Sequence, residues 1–211
     1  MKNITIEFLG HACFRLDFGG YTVVLDPYED GSVRGIGPIR DIKADAVFAS
    51  HGHHDHNAVH LVQIEDSGLR SPVIEEVETF HDNEGGAKRG TNIVRIFEYE
   101  DVRIAHFGDL GHLLDAGQIA AIGKVDIALM PVGGFFTVDP QTAKKVAESL
   151  DVRTIIPMHY KTKDLKMGLA SVEPFLSAMQ DRSIHRLSEC EITLTPDSLG
   201  NGRVLLPDYA K

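Results

Sequence analysis

Four imidazoles and one carboxylate crowd into six residues of the run Ser50-His51-Gly52-His53-His54-Asp55-His56, a density of donor groups that points to a bound metal. The run follows Asp45-Ala46-Val47-Phe48-Ala49, an apolar stretch that reads as a buried strand, so the donors stand on the loop at the strand's carboxyl end. In His51-x-His53 the two rings lie two residues apart on extended backbone, point to the same side, and can close on one ion at roughly 2.0–2.1 Å per Zn–N bond. Asp55 and His56, on the turn that follows, can face a second ion. Two metals roughly 3.5–4 Å apart would hold a shared water and lower its pKa toward about 7, giving a hydroxide nucleophile at neutral pH. The competing reading is a weak metal trap or an expression tag, but tags sit at termini and lack an aspartate interleaved behind a strand.

One segment cannot complete two sites. Three further candidates each end a strand-like run: Val77-Glu78-Thr79-Phe80 leads into His81, Val102-Arg103-Ile104-Ala105-His106-Phe107-Gly108 into Asp109, and Thr154-Ile155-Ile156-Pro157-Met158 into His159. Chemistry in α/β sheets collects outside the carboxyl ends of strands, so these junctions can converge on one cleft.

This set, His-x-His-x-Asp-His, a later His, an Asp in His106-Phe107-Gly108-Asp109 and a final His in Pro157-Met158-His159-Tyr160, resembles the metallo-β-lactamase fold superfamily. Gly10-His11-Ala12-Cys13-Phe14, Leu25-Asp26-Pro27-Tyr28 and Pro131-Val132-Gly133-Gly134-Phe135-Phe136-Thr137 are similar to the branch that holds ascorbate-6-phosphate lactonase and related metal-dependent hydrolases. The resemblance runs from about Ile4 to about Tyr160. It implies a four-layer αββα sandwich, with one metal on His51, His53 and His81, a second on Asp55, His56 and His159, and Asp109 bridging them. It also implies that Asp26 supports the histidine loop by fixing imidazole orientation. Asp82, which follows His81, is the substitute ligand should His81 fail. The chain is short for the superfamily and has little room for the insertions that usually build substrate pockets, so a lactonase assignment does not transfer.

The expected chemistry is metal-assisted hydrolysis of a small, anionic ester, lactone or phosphoester by a metal-bridging hydroxide, with Asp55 or a metal-bound water moving the proton. His112, three residues past Asp109, is a candidate proton donor or substrate contact as well as a candidate structural residue. Lys161 is placed to stabilise an oxyanion or bind phosphate, with Tyr160 as a hydrogen-bond donor. The loop Gly85-Gly86-Ala87-Lys88-Arg89-Gly90 carries two more cations. Phe135 and Phe136 either line the pocket or pack in the core. His54 alternates away from its neighbours, and His60, His106 and His185 are read as ordinary surface or core residues. A di-iron oxidoreductase is the less favoured alternative, because that pattern places a carboxylate where this chain has His53 and relies on a flavin domain. A non-catalytic metal-binding module is the other, though structural zinc sites are usually closed and four-coordinate.

Composition narrows the partners. With 211 residues, 43% hydrophobic and 25% charged, the chain is sized for one domain, 1–211, undivided by any linker. Two cysteines, Cys13 and Cys190, are too few for a disulfide framework, and with no leader or membrane-length apolar stretch the expected location is cytoplasmic. Nitrogen and oxygen donors suit two divalent ions, Zn first, with Mn or Fe as alternatives. A net charge of −10 without a basic stripe excludes nucleic acid as a partner, leaving a small molecule. The sequence leaves homo-oligomerisation open.

The elements that must position these groups read as strands at 4–8, 14–18, 21–25, 93–97, 102–105, 126–131, 154–157, 184–187 and 192–195, with Gly19-Gly20 and Glu100-Asp101 as hairpin turns. Helices are expected at 115–122, at 140–150 with Pro140 in the first turn, and at 171–179 with Ser171 as cap and Pro174 early. Two sheets face to face with helices outside would bury these apolar faces, an α/β (α+β) sandwich.

Overall fold

The computed structural model describes residues 3–209. Its chain runs β1 (Ile4–Gly10), β2 (Cys13–Phe18), β3 (Tyr21–Leu25), β4 (Lys43–Ala44), β5 (Ala46–Phe48), β6 (Gln63–Ile64), β7 (Val73–Phe80), β8 (Thr91–Tyr99) and β9 (Val102–His106). It continues through α1 (Ala116–Ile122), β10 (Ile127–Pro131), α2 (Pro140–Ser149), β11 (Thr154–Met158), α3 (Glu173–Ala178), β12 (Ser183–Arg186), β13 (Glu191–Leu194) and β14 (Arg203–Leu206). The first sheet has the order β13-β1-β2-β3-β5 and the second β12-β14-β11-β10-β9-β8-β7. A two-stranded parallel sheet, β4-β6, stands beside them.

Side chains alternate across each strand, and the alternation sorts the apolar residues into three cores. Ile4, Ile6, Phe8, Phe14, Leu16, Phe18, Val23 and Leu25 of the first sheet meet Phe97, Ile104, Leu129, Ile156 and Met158 of the second between the sheets. The opposite face of the second sheet, through Val94, Ile96, Ala128, Met130 and Ile155, packs on Ile122, Ala143, Val146, Phe175 and Leu176 of the three helices. Each fully buried Val, Leu, Ile, Phe or Met side chain among them contributes roughly 1.5–3 kcal/mol. The outer face of the first sheet, with Cys13 and Val24, is covered by Tyr28, Val33, Ile39, Leu165 and Leu169. No residue of α1–α3 joins that third core, so one outer layer of the sandwich is built from loop segments and the β4–β6 pair instead of helices. Covering an apolar face needs side chains, not a particular backbone.

Local chemistry sets the boundaries. Asp115 caps α1 in a reciprocal box with Gln118, and Asp139 caps α2 ahead of Pro140. The expected Ser171 cap is not used: Val172 occupies the N-cap of α3 without a side-chain bond, and Pro174 falls in the first turn. Glu100 and Asp101 both take positive φ, 50° and 64°, the conformation that a two-residue hairpin turn of matching twist requires. The strand before the histidine loop is not buried: β5 is three half-buried residues at the edge of the first sheet, paired only with β3. Among the described residues no helix is long and apolar enough to cross a membrane.

Candidate metal centre

The donors come from the carboxyl ends of β3, β5, β7, β9 and β11. At the end of β3, Asp26 adopts φ 46° and its N–H is held by the carbonyl of Phe48 at 2.9 Å. Its Oδ1 accepts from the Ser50 amide at 2.6 Å, and its Oδ2 accepts from the Ser50 hydroxyl at 2.6 Å and from His56 Nδ1 at 2.7 Å. The Ser50 hydroxyl spends its proton on Asp26, so its oxygen accepts from His51 Nδ1 at 3.0 Å. Two tautomers follow. His51 and His56 both carry a proton on Nδ1 and turn Nε2 inward, the atom through which each imidazole would bind a metal.

The second sheet supplies the rest. Arg95 of β8 holds the Ala49 carbonyl at 3.2 Å with its guanidinium 4.5 Å from the centre of the Phe48 ring, which fixes the start of the histidine loop against the opposite sheet. Asn92, fully buried, accepts from the Asp109 amide at 2.9 Å while its own amide donates to Thr79 Oγ1 at 2.8 Å and the Phe107 carbonyl at 3.0 Å. Gly108 makes this approach possible: a Cβ there would lie 2.3 Å from Asn92 Oδ1. A Cβ on Gly133 would lie 2.1 Å from the His159 carbonyl oxygen, so the loop after β10 can close on the last histidine only as glycine.

Asp109 Oδ2 sits at the middle of the assembly, 3.1 Å from His81 Nε2, 3.2 Å from His159 Nε2, 3.3 Å from His56 Nε2 and 4.0 Å from His51 Nε2. On one side His51, His53 and His81 bring one donor atom each within 4.8 Å of one another, and on the other His11, Asp55, His56 and His159 do the same. Burial pushes the Asp109 carboxyl up, but His159 and His56 outweigh it and hold the group well below its ordinary value. Burial likewise opposes ionisation of Asp26, yet His106 and His56 bring it down to about 2. Burial, followed by the charge of His56, depresses His51 to about 3, and burial, followed by His159, depresses His11 to about 4. Burial works against the charged His56 ring too, but Asp109 and Asp26 overcome it and raise that pKa.

Ionised carboxylates facing imidazole lone pairs are the donor set a divalent cation takes. His56 Nε2 and Asp109 Oδ1 are buried without a hydrogen-bond partner, an arrangement that costs free energy unless a cation lies between them. The residues therefore fit a metal.

Residues 5–159 match the profile of the β-lactamase superfamily domain. Over 97% of this chain and 98% of the other, the structure is similar, with a TM-score of 0.77 and 38% identity, to a Thermotoga maritima protein assigned to the zinc-dependent hydrolases of the metallo-β-lactamase superfamily. The chain belongs to the metallo-β-lactamase superfamily. A metal-dependent hydrolase of the UPF0173 group from Thermoplasma acidophilum is 30% identical, the match covering 78% of this chain and 87% of the relative. A metallo hydrolase from Ignicoccus hospitalis, 17% identical with a TM-score of 0.64 over 98% of this chain and 96% of the other, shares the fold.

The superfamily expectation for His51, His53, Asp55, His56, His81, Asp109 and His159 brings all seven residues into one cluster, and Asp26 lies behind it. His81 faces Asp109 directly, whereas Asp82, the proposed substitute, turns away. Its carboxylate accepts from the amides of Glu84 at 2.8 Å, Gly86 at 2.9 Å, Lys88 at 2.9 Å and Arg89 at 2.8 Å, and so shapes the loop after β7. Burial acts upward on this carboxyl, but the four amides draw it to about 2. Its contribution to stability is thus complete above the ordinary carboxyl value near about 3.9 and is lost as pH falls through about 2. Asp82→Ala is expected to lower Tm and to speed amide exchange at residues 84–89; unchanged exchange there would remove the loop-shaping role.

Two expectations are corrected. His112 has neither nitrogen free to act as proton donor, because Nδ1 donates to the Leu113 carbonyl at 2.7 Å and Nε2 accepts from the Phe80 amide at 3.1 Å, which holds the β7 end in place, while the residue lines the groove beside Arg89 and Leu113. Tyr160 is no substrate contact, because His159 at φ 52° redirects the chain and Tyr160 packs into the helix-side core. Lys161 is exposed, and its backbone amide is bonded to Ala170. His54 and His60 are exposed as expected, and His106 is buried, its Nε2 donating to the Ala12 carbonyl at 2.9 Å while Nδ1 accepts from Gly108 N–H. Three contributors escaped sequence reasoning: His11, Ser50 and Asn92. The Gly10-His11-Ala12 motif was the available signal for His11; nothing local marks Asn92.

Proposed function

We propose that this chain is a metal-dependent hydrolase with a binuclear centre, acting on a small anionic ester, lactone or phosphoester. The four imidazole nitrogens gathered around Asp109 Oδ2 carry the reading. Metal ions held by His51, His53 and His81, and by Asp55, His56 and His159, with Asp109 between, would supply Lewis acidity and an activated hydroxide. The protein's part is orientation and proton handling. Asp26 and Ser50 fix the ring planes, and the sheets keep bulk water from the middle. Asp55, whose side chain is 23% exposed against 2% for Asp109, is the carboxylate of the cluster through which a proton can leave to solvent.

A groove of about 410 Å³ starts one residue from His81 and two from Asp109, at Asp82 and Gly111, and is walled by Arg89, Leu113, Phe135 and Phe136. Its size is that of a small-molecule site. Phe135 is 73% exposed at φ 63°, a strained backbone of the kind that collects at ligand sites. Arg89 lies with its guanidinium carbon 5.6 Å from the centre of the Phe136 ring, whereas Lys88 is tied to Glu84. Arg89 is therefore the cation of that loop available to an anionic substrate. A larger cleft, about 830 Å³ and lined by Arg15, Tyr28, Ile36 and Tyr209, lies against the outer face of the first sheet and contains none of the metal donors. Neither cleft is lined by a metal donor, and we place the substrate in the smaller groove because its lining residues Asp82 and Gly111 adjoin His81 and Asp109 in the chain.

Metal analysis of the purified chain with a screen of phosphodiester, lactone and thioester substrates tests the reading. Two equivalents of metal and turnover abolished by chelation are expected; two equivalents with no turnover of any class would instead mark a metal-binding module. Arg89→Ala is expected to raise KM for anionic substrates about tenfold, the loss of ~1.4 kcal/mol, while leaving neutral analogues unchanged. An equal effect on both would remove Arg89 from substrate recognition.

A further inference from the structure

We propose that His11 is a fifth protein donor to the second metal position, making the centre asymmetric, with one saturated position and one open to substrate. This rests on the binuclear reading above. His11 belongs to none of the motifs that place the other donors; it sits in the turn between β1 and β2, at φ 58° and 1% exposed. Its Nε2 is 3.3 Å from Asp55 Oδ2, and its ring centre lies 4.2 Å from that of His159 and 5.2 Å from that of His56. Neighbouring donors around a five-coordinate zinc with bonds of roughly 2.0–2.1 Å stand about 2.9–3.6 Å apart, a range that includes the His11–Asp55 separation.

Backbone contacts hold the turn that carries this ring. His159 N–H donates to the His11 carbonyl at 2.8 Å, and His106 donates to the Ala12 carbonyl at 2.9 Å, tying the turn to the second sheet on both sides of the ring. A hydrogen bond to Asp55 alone would leave the imidazole buried for a single contact to a carboxylate that solvent already reaches. Counting donors, the second position has His11, Asp55, His56 and His159 besides the shared Asp109, and the first has His51, His53 and His81 besides the same Asp109. Five protein donors exceed the usual four of zinc and leave no open position, whereas the first position, with four, takes a water or substrate by expanding to five-coordinate. The first position also reaches solvent through the exposed His53, and Asp82, next to His81 in the chain, lines the Arg89 groove. Substrate oxygen is thus expected to bind on the His51–His53–His81 side.

The test is zinc titration of the metal-free full chain, wild type beside His11→Gln and His11→Asn, the latter because asparagine tolerates positive φ. Wild type should bind two equivalents, and both variants should retain the fold by circular dichroism yet bind one equivalent at least tenfold more weakly. Two unchanged affinities in folded variants would overturn the proposal. A crystal structure of the zinc-loaded wild type decides the matter without any variant: His11 Nε2 at roughly 2.0–2.1 Å from the second ion supports it. Two ions with His11 on neither would overturn this assignment alone, and a single ion without His11 would overturn both it and the binuclear reading.

Discussion

Asp109→Ala is expected to reduce hydrolysis by at least about a thousandfold, or ~4 kcal/mol of transition-state stabilisation. Oδ2 is the atom that four imidazoles share, at 3.1 to 4.0 Å, and no neighbouring carboxylate can replace it. Asp55 faces His11 and His56 on one side only, and Asp26 is consumed by Ser50 and His56. Removing Asp109 also relieves a buried cluster of its central negative charge, so metal content should fall together with activity. The backbone is not at risk to the same degree, since the Asp109 amide keeps its bond to Asn92 whatever the side chain. Assaying activity and bound metal with near-UV circular dichroism checks each part; full activity in a folded variant would reject the bridge.

Asp26→Ala is expected to act on stability as strongly as on function. It strips an acceptor from the Ser50 amide, the Ser50 hydroxyl and His56 Nδ1 at once, at a position 1% exposed. Orphaning partners of a buried charged group costs about 3–5 kcal/mol. Denaturant unfolding of the metal-free protein reads that loss. Metal affinity should fall roughly 10–100-fold as well, because His56 loses the contact that fixes its tautomer. Asp26→Asn, of the same shape, should recover part of the stability but less of the affinity, since a neutral amide orients an Nδ1–H poorly. In the wild type, with the carboxyl held at about 2, this stabilisation is complete above about pH 4 and is lost as pH falls through the folded value. A variant as stable as wild type would show that the histidine loop does not depend on this carboxylate.

The fold was legible wherever local pattern and burial coincide. The alternation read at 4–8 and 14–18, the Gly19-Gly20 turn, and Pro140 in the first turn of α2 are short-range features, and the structure follows them. The β14 strand was missed, although Val204, Leu205 and Leu206 are buried, because its place between β11 and β12 depends on two parallel pairings made far along the chain. The misreading of Ser171 has the same origin, since the start of α3 is settled by packing on α2 and not by a cap.

The candidate site divides along the same line. Sequence alone pointed to most of the side chains that the structure gathers, because donor type and spacing within His51–His56 are local chemistry and strand ends are natural places for the remaining candidates. It could not determine which side chains turn inward. His112 and Tyr160 stand as near to ligands in sequence as any true neighbour, yet one spends both nitrogens on backbone and the other enters the helix-side core. His11 and Asn92, distant from the motif, enter the centre because sheet pairing and the left-handed turns at His11, Asp26 and His159 aim backbone and ring together. Those conformations are unfavourable for isolated residues and persist because contacts from the opposite sheet hold them, so only the assembled structure could decide them.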